Sequence, residues 1–259
     1  MCYNVAQMKL REYKVALREG LPKEIVDKLY QEWEELEKAN MKFQDKPMFQ
    51  VSGFSHPPLY TLIKDTDYHA TRFTWGLAPN WVKEPQQAKE IMTKTLNARG
   101  ETIFEKPSFR DSAKNKRCLI FVDGFYEHHH QKGKTYPYFI HHKEENRPLV
   151  LGGLWAEWTD KNTGEIFSTA SIVTTEGNSM MAKIHNNPKA DGARMPLILD
   201  PEEFEMWLTS KDKAEVEKMI KPYPQEKLEA HTVGKLNGKE AVVDSAQSIE
   251  RLEYAELKD

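Results

Sequence analysis

The chain has 259 residues, 39% of them hydrophobic and 30% charged, with a formal net charge of −3 at pH 7. That composition fits a soluble globular protein with length enough for a large core, and the charge argues against wholesale wrapping of duplex DNA while leaving room for a local basic groove. No apolar run approaches the roughly 18–20 residues that cross a bilayer, and two cysteines cannot build a disulfide scaffold.

The N-terminus, MCYNVAQMKLREYK, lacks the apolar stretch of a signal peptide, which fits a reducing cytoplasm. Met1 precedes a small residue, Cys2, the kind of start from which the initiator is trimmed. Trimming leaves an α-amine beside a thiol. An aldehyde taken up by that amine as a Schiff base is closed by the thiol into a five-membered thiazolidine ring. Both nucleophiles are partly available at neutral pH, the amine titrating near ~8 and the thiol near ~8.5. The plainer alternative for Cys2 is a small residue at a frayed terminus.

Charged residues alternate along 9–42 as on a solvated helix face. Within that stretch Ile25, Leu29, Trp33 and Leu36 recur at helical spacing behind Pro22, which predicts an amphipathic helix over 22–39. Strand-like runs follow at roughly 47–53, 59–64, 70–76, 117–123, 136–142, 148–157 and 166–174, with Asn162-Thr-Gly164 as a hairpin turn. Cys118 sits inside one of these runs as an inert core residue. Asp200-Pro201 starts a helix over about 201–209, a second covers 211–220, and the tail from 245 is charged and peripheral. With no internal repeat or linker, these elements predict an α+β fold: a single domain around a curved, barrel-like, mostly antiparallel sheet with peripheral helices.

Four segments carry polar groups that could do chemistry. In Thr95-Leu-Asn-Ala-Arg99, Asn97 and Arg99 face the same way on an extended segment, and an arginine fork suits phosphate. A loop residue with a surface ion pair is the competing account of Arg99. In Phe121-Val-Asp-Gly-Phe-Tyr-Glu127 the carboxylate lies at a strand end beside apolar rings, which would raise its pKa for acid–base work; a solvated glutamate fits equally. His185 can pass a proton and Arg194 can contact phosphate, although a lone histidine is more often structural. Trp81, beyond Pro79, can stack on a nucleobase or pack in the core. The runs His128–His130 and His141–His142 do not suggest a metal, because neighbouring strand residues point to opposite faces.

The order of the motifs says more than any one of them. Met-Cys, W-G-x-x-P-x-W, N-A-R-x-E, D-G-F-Y-E and I-H…R-M-P, spread from Cys2 to about residue 208, together resemble the SRAP family, the SOS-response-associated peptidase-like proteins that shield abasic sites. The resemblance implies one SRAP-like domain over 1–259, with a core at about 2–235 and a tail at about 245–259. It implies that Met1 is released autocatalytically and that Cys2 crosslinks to the aldehyde of an abasic site in single-stranded DNA, with strand cleavage by β-elimination as a lyase side activity. Asn97, Glu127 and His185 match the family's active-site asparagine, acid–base carboxylate and histidine. Arg99 and Arg194 match its phosphate-binding arginines, and Trp81 its base-wedging aromatic. The expected molecule needs no cofactor or metal, works as a monomer near the nucleoid in the cytoplasm, and does not engage membrane. Its protein partners are not specified.

Three departures stand out: Tyr3-Asn4 for the usual Gly-Arg, His128 for the usual tryptophan, and a long Asn186–Ala193 spacer. Two alternatives compete with the crosslinking protein. One is an N-terminal-nucleophile thiol hydrolase acting on an amide, with Asn97 at the oxyanion site; the other is a chemically silent single-strand binder.

Overall fold

In the computed structural model, residues 2–8, 10–39, 47–238, 241–242 and 244–257 are described; Met1, on which the trimming expectation falls, lies outside them. In chain order the elements are β1 (Asn4–Gln7), α1 (Leu10–Gly20), α2 (Lys23–Ala39), β2 (Met48–Ser52), β3 (Pro58–Lys64), β4 (Tyr68–Trp75), α3 (Pro85–Lys94) and β5 (Asn97–Arg99). Next come α4 (Arg110–Asn115), β6 (Arg117–Val122), β7 (Gly124–Gln131), β8 (Lys134–His142), β9 (Leu149–Thr159) and β10 (Ile166–Glu176). The chain ends with α5 (Ser179–Ile184), β11 (Arg194–Pro196), α6 (Phe204–Thr209), α7 (Lys213–Met219) and β12 (Leu228–Thr232).

Five strands close into a barrel in the order β10-β4-β3-β6-β9, with β9 pairing back onto β10. Four of its seams are antiparallel; the fifth joins β4 to β10 in parallel, setting Thr74 beside Thr169 and Trp75 beside Ala170. Beyond β4, β5 continues along the same edge of β10, and β11 takes the opposite edge. A second, wholly antiparallel sheet runs β12-β8-β7-β1-β2.

Strand β6, apolar from Cys118 to Val122, is buried at every position because it has a core on each side. Leu119 and Phe121 face the helical layer with Tyr13, Leu29, Trp33 and Trp207, whereas Cys118, Ile120 and Val122 join Trp75, Phe125 and Ile172. The α2 stripe packs as its spacing requires: Trp33 meets Tyr60 and Phe121 edge-on, and its indole N–H donates to the Thr71 carbonyl at 3.2 Å.

The chain crosses from barrel to open sheet at Asp123-Gly124. The Asp123 carboxylate accepts from the Tyr13 hydroxyl at 2.9 Å and the Met8 amide at 2.5 Å, and its own amide donates to the Ala6 carbonyl. At Gly124 a side chain would collide with the Phe139 ring and the Ile140 carbonyl, so this crossing requires glycine. At the predicted hairpin turn, Gly164 has a φ of 75° between the paired strands β9 and β10.

Arg117 is buried beneath α4 and α6. Its guanidinium donates to the carbonyls of Trp207 (2.5 Å), Ala113 (2.5 Å), Lys114 (3.1 Å) and Ser210, so one cation satisfies the C-terminal ends of two helices. Arg117→Met is expected to lower stability by about 2–4 kcal/mol, because the buried carbonyls lose a charged donor that methionine cannot replace. A melting curve indistinguishable from that of the parent protein would show that water reaches those carbonyls.

The C-terminal segment is largely exposed, but it is tied to the sheet. Leu252 exchanges hydrogen bonds with Thr232, Tyr254 packs edge-on against Tyr136, and Glu256 pairs with Lys134. The charges along this stretch conceal a short pairing with β12 and the β7–β8 hairpin.

Candidate functional site

Strand β1 is wedged between β2 and β7, with Asn4 beside both Ser52 and Tyr126. This anchoring draws the two residues ahead of it into the molecule. Cys2 is fully buried in the core cluster that holds Trp75, Leu96, Ile172 and Met181, and its thiol donates to the Asn4 carbonyl at 3.7 Å. Burial, and then the charge of Glu127, push that thiol well above its usual range, so it stays protonated at neutral pH in this form.

Asn97 reaches the same place from β5, which is pinned to β10 by pairing with Ile172. Its Nδ2 donates to the Cys2 carbonyl at 2.7 Å, while its buried Oδ1 has no hydrogen-bond partner among the described residues. An idle buried acceptor is costly, so this position calls for a donor.

Glu127 lies in the middle of β7 rather than at a strand end, because the ladder with β8 continues through Gln131↔Lys134. It is 6% exposed, and burial raises its carboxyl to about 7. Its charge also raises the Tyr3 hydroxyl, after burial, which places Cys2, Tyr3 and Glu127 in one electrostatic neighbourhood. A carboxyl poised near neutrality can both take and give a proton.

His185 follows α5, a short helix capped at its start by the Asn178 side chain and held down by buried Met181 and Ile184. The Arg194 amide donates to its Nδ1 at 3.0 Å, so the ring proton sits on Nε2. Burial lowers its pKa to about 4, leaving the ring neutral at pH 7. Glu127 and His185 line one open cleft of about 400 Å³, together with Tyr3, Phe54, Tyr126, His128, His130 and Asn187.

The structure therefore gathers four expected residues, Cys2, Asn97, Glu127 and His185. The other three do not line that cleft. Arg99 lies at the end of β5 in a neighbouring hollow of about 600 Å³, half-exposed and paired with Asp191 at 3.0 Å, the surface ion pair that was its competing account. Arg194 is buried, its guanidinium committed to both oxygens of Glu101 at 2.6 and 2.8 Å and to the Thr174 carbonyl at 2.9 Å. Such a group ties β11 to the barrel, at the wall of the same hollow that holds Arg99. Trp81 is 44% exposed, so it is not a core residue; its indole N–H donates to the Pro107 carbonyl at 3.2 Å, and it does not line the cleft.

One residue at the cleft escaped sequence reasoning. Phe54, 55% exposed, stands 5.2 Å from the Tyr3 ring, and the Gly53 amide donates to the Tyr3 carbonyl at 2.8 Å. The available signal was an aromatic inside the turn-rich stretch Ser52-Gly-Phe-Ser-His56. Among the described residues no group of His, Cys, Asp and Glu is placed to hold a metal ion, and no helix is long and apolar enough to cross a membrane.

Compared with known protein families, residues 13–239 match the model of the SOS response associated peptidase. The chain belongs to the SRAP family. That span contains Asn97, Glu127 and His185 but begins after Cys2, whose place rests on the hydrogen bond from Asn97. Among SRAP relatives, the abasic site processing protein YoqW of Bacillus subtilis is 35% identical over 182 residues, covering 69% of this chain and 75% of its own. The abasic site processing protein HMCES of Xenopus tropicalis is 32% identical over 188 residues, and the match spans 63% of this chain but only 54% of that longer protein. A solved structure from Bacteroides thetaiotaomicron superposes with a TM-score of 0.80 at 32% identity, over 97% of this chain and all of the other. The barrel with its flanking open sheet is thus an SRAP architecture, and the α+β expectation holds.

Proposed function

We propose that this protein captures abasic sites in single-stranded DNA through a thiazolidine formed on Cys2. The observation that carries the proposal is the Asn97 amide bonded to the Cys2 carbonyl, with the half-titrated carboxyl of Glu127 beside it. Loss of Met1 would turn the Cys2 nitrogen into a primary amine, a donor suited to the idle Oδ1 of Asn97. The names of the relatives, abasic site processing proteins, support the same substrate.

The chemistry runs in two additions. The amine attacks C1′ of the ring-opened sugar, a proton moves from nitrogen to the aldehyde oxygen, and loss of water leaves an imine. The thiol sulfur then adds to the imine carbon, and its proton ends on the nitrogen. One water is released overall. Glu127 takes the proton from the attacking group and returns one to the departing hydroxyl. The neutral His185 donates from Nε2 to a sugar oxygen, which assists ring opening. The protonated thiol waits for the imine instead of competing for the aldehyde.

Around this centre, Tyr3 and Phe54 offer faces on which flanking bases stack, worth about 1–3 kcal/mol per base. Arg99 faces the hollow next to the cleft and suits the adjacent phosphate. In the same scheme Cys2 assists the release of Met1, and the imine permits β-elimination as a side reaction.

The direct test mixes the protein, its amino terminus verified by mass spectrometry as Cys2, with a single-stranded oligonucleotide bearing one abasic site. A heat-stable, slow-migrating band on a denaturing gel is expected, with the adduct mass on the Cys2 peptide. An intact abasic strand after incubation with fully processed protein would move the assignment to the thiol hydrolase.

A further inference from the structure

The segment between His185 and Arg194 is not a loose excursion. At one end the Asn186 side chain accepts from the His130 amide at 2.7 Å and donates to the His130 carbonyl at 2.9 Å. At the other, the Gly177 amide donates to the Ala193 carbonyl at 2.8 Å. Between these ties the Lys189 and Ala190 amides fold back on Asn187, and Gly192 takes a φ of 75° to turn the chain. The result is a bridge with Asn187 on the cleft that holds Glu127 and Asp191 on the hollow that holds Arg99.

What the bridge delivers to that hollow is a carboxylate. Asp191 Oδ2 lies 3.0 Å from Arg99 Nη1, and the Asp191 side chain is 84% exposed. The charge of Glu101 is also close: burial works to raise its pKa, but the hydrogen bond from Arg194 and the charges of Arg194 and Arg99 bring it below its usual value. Arg99 follows Asn97 by two residues, about 7 Å along an extended strand. A strand whose sugar meets Cys2 therefore brings a neighbouring phosphate towards a guanidinium that already has an anion on it.

We propose that Asp191 is a specificity-determining residue whose carboxylate occupies the seat of a backbone phosphate on Arg99; this rests on the cleft being a single-strand site. An undamaged strand must displace Asp191 with phosphates drawn from free solution, so it binds less tightly than the site's charges would otherwise allow. A strand held covalently at Cys2 presents its phosphate at high effective concentration and displaces Asp191 without difficulty. The contact is a single exposed ion pair, weak enough to yield to a phosphodiester held beside it at high effective concentration. Asp191 thus penalises intact DNA while barely affecting a captured strand.

The test is a double-mutant cycle read by fluorescence anisotropy with an undamaged single-stranded oligonucleotide across a salt series. Asp191→Asn is expected to tighten binding roughly two- to five-fold at low salt, the gain shrinking as salt screens the pair. In the Arg99→Gln background the same change is expected to give no gain. Equal gains in both backgrounds would reduce Asp191 to a distant negative charge, and no gain in either would remove it from the site; both overturn the proposal. Absence of binding by every variant at every salt concentration would overturn the single-strand assignment itself, and this proposal with it.

Discussion

Cys2→Ser is expected to remove the heat-stable DNA adduct, by a factor on the order of 10³ or more, as for other covalent nucleophiles. With Met1 removed by an added aminopeptidase and the terminus verified by mass spectrometry, the serine amine still reaches the aldehyde, so an imine forms, but a hydroxyl closes a less stable ring and is the poorer nucleophile. The adduct should therefore appear only when borohydride reduces the imine before heating. The substitution also puts a hydroxyl into an apolar cluster, where an unmet hydrogen bond costs about 1–3 kcal/mol, although the Asn4 carbonyl stands ready to accept one. Cys2→Ala, which places no polar atom there, separates folding from chemistry. Heat-stable adducts from a well-folded serine variant would rule out the thiazolidine.

Glu127→Gln is expected to slow crosslinking by about 10²- to 10⁴-fold, the usual worth of a positioned acid–base group, and to flatten the rate–pH profile around 7, where the wild-type rate climbs as the carboxyl ionises. Stability should move the other way. The carboxyl's ordinary value of 4.5 is raised to about 7 in the fold, so below pH 4.5 both folded and unfolded chains hold the proton. As pH rises from 4.5 to 7 the unfolded chain ionises first, and the fold loses about 3 kcal/mol relative to it. Glutamine has no such penalty. The variant should match wild type near pH 4 and be more stable at pH 7.5 and above, as melting curves at the two pH values would show. A variant less stable at pH 7.5 would mark Glu127 as a structural residue. Fold stability given up for a carboxyl poised near neutrality is what an acid–base site requires.

Some of this protein was legible without coordinates. The α2 stripe, the apolar run Cys118–Val122 of β6, the Asn162-Thr-Gly164 turn and the Asp200-Pro201 helix start are local signals, because side-chain spacing and turn chemistry act over a few residues. The short elements α3, α4, α5, β11 and β12 left no comparable trace: few residues carry too little periodicity, and tertiary partners hold them in place. Glu127 was placed at a strand end; the break at Gly124 is real, but the strand that resumes there runs on to Gln131, held by its ladder with β8.

The site divides along the same line. Sequence alone determined which groups are available, an N-terminal Met-Cys and an asparagine, a carboxylate and a histidine in ordered motifs, since side-chain chemistry belongs to the residue. Only the tertiary structure decided what those groups do. The parallel pairing of β5 with β10 and the wedging of β1 bring together Cys2 and Asn97, 95 residues apart, and burial sets Glu127 near neutrality and holds His185 uncharged. The same folding gave Arg194 to Glu101 and Arg99 to Asp191, because a charge takes its role from the partner and the solvent that the fold leaves it.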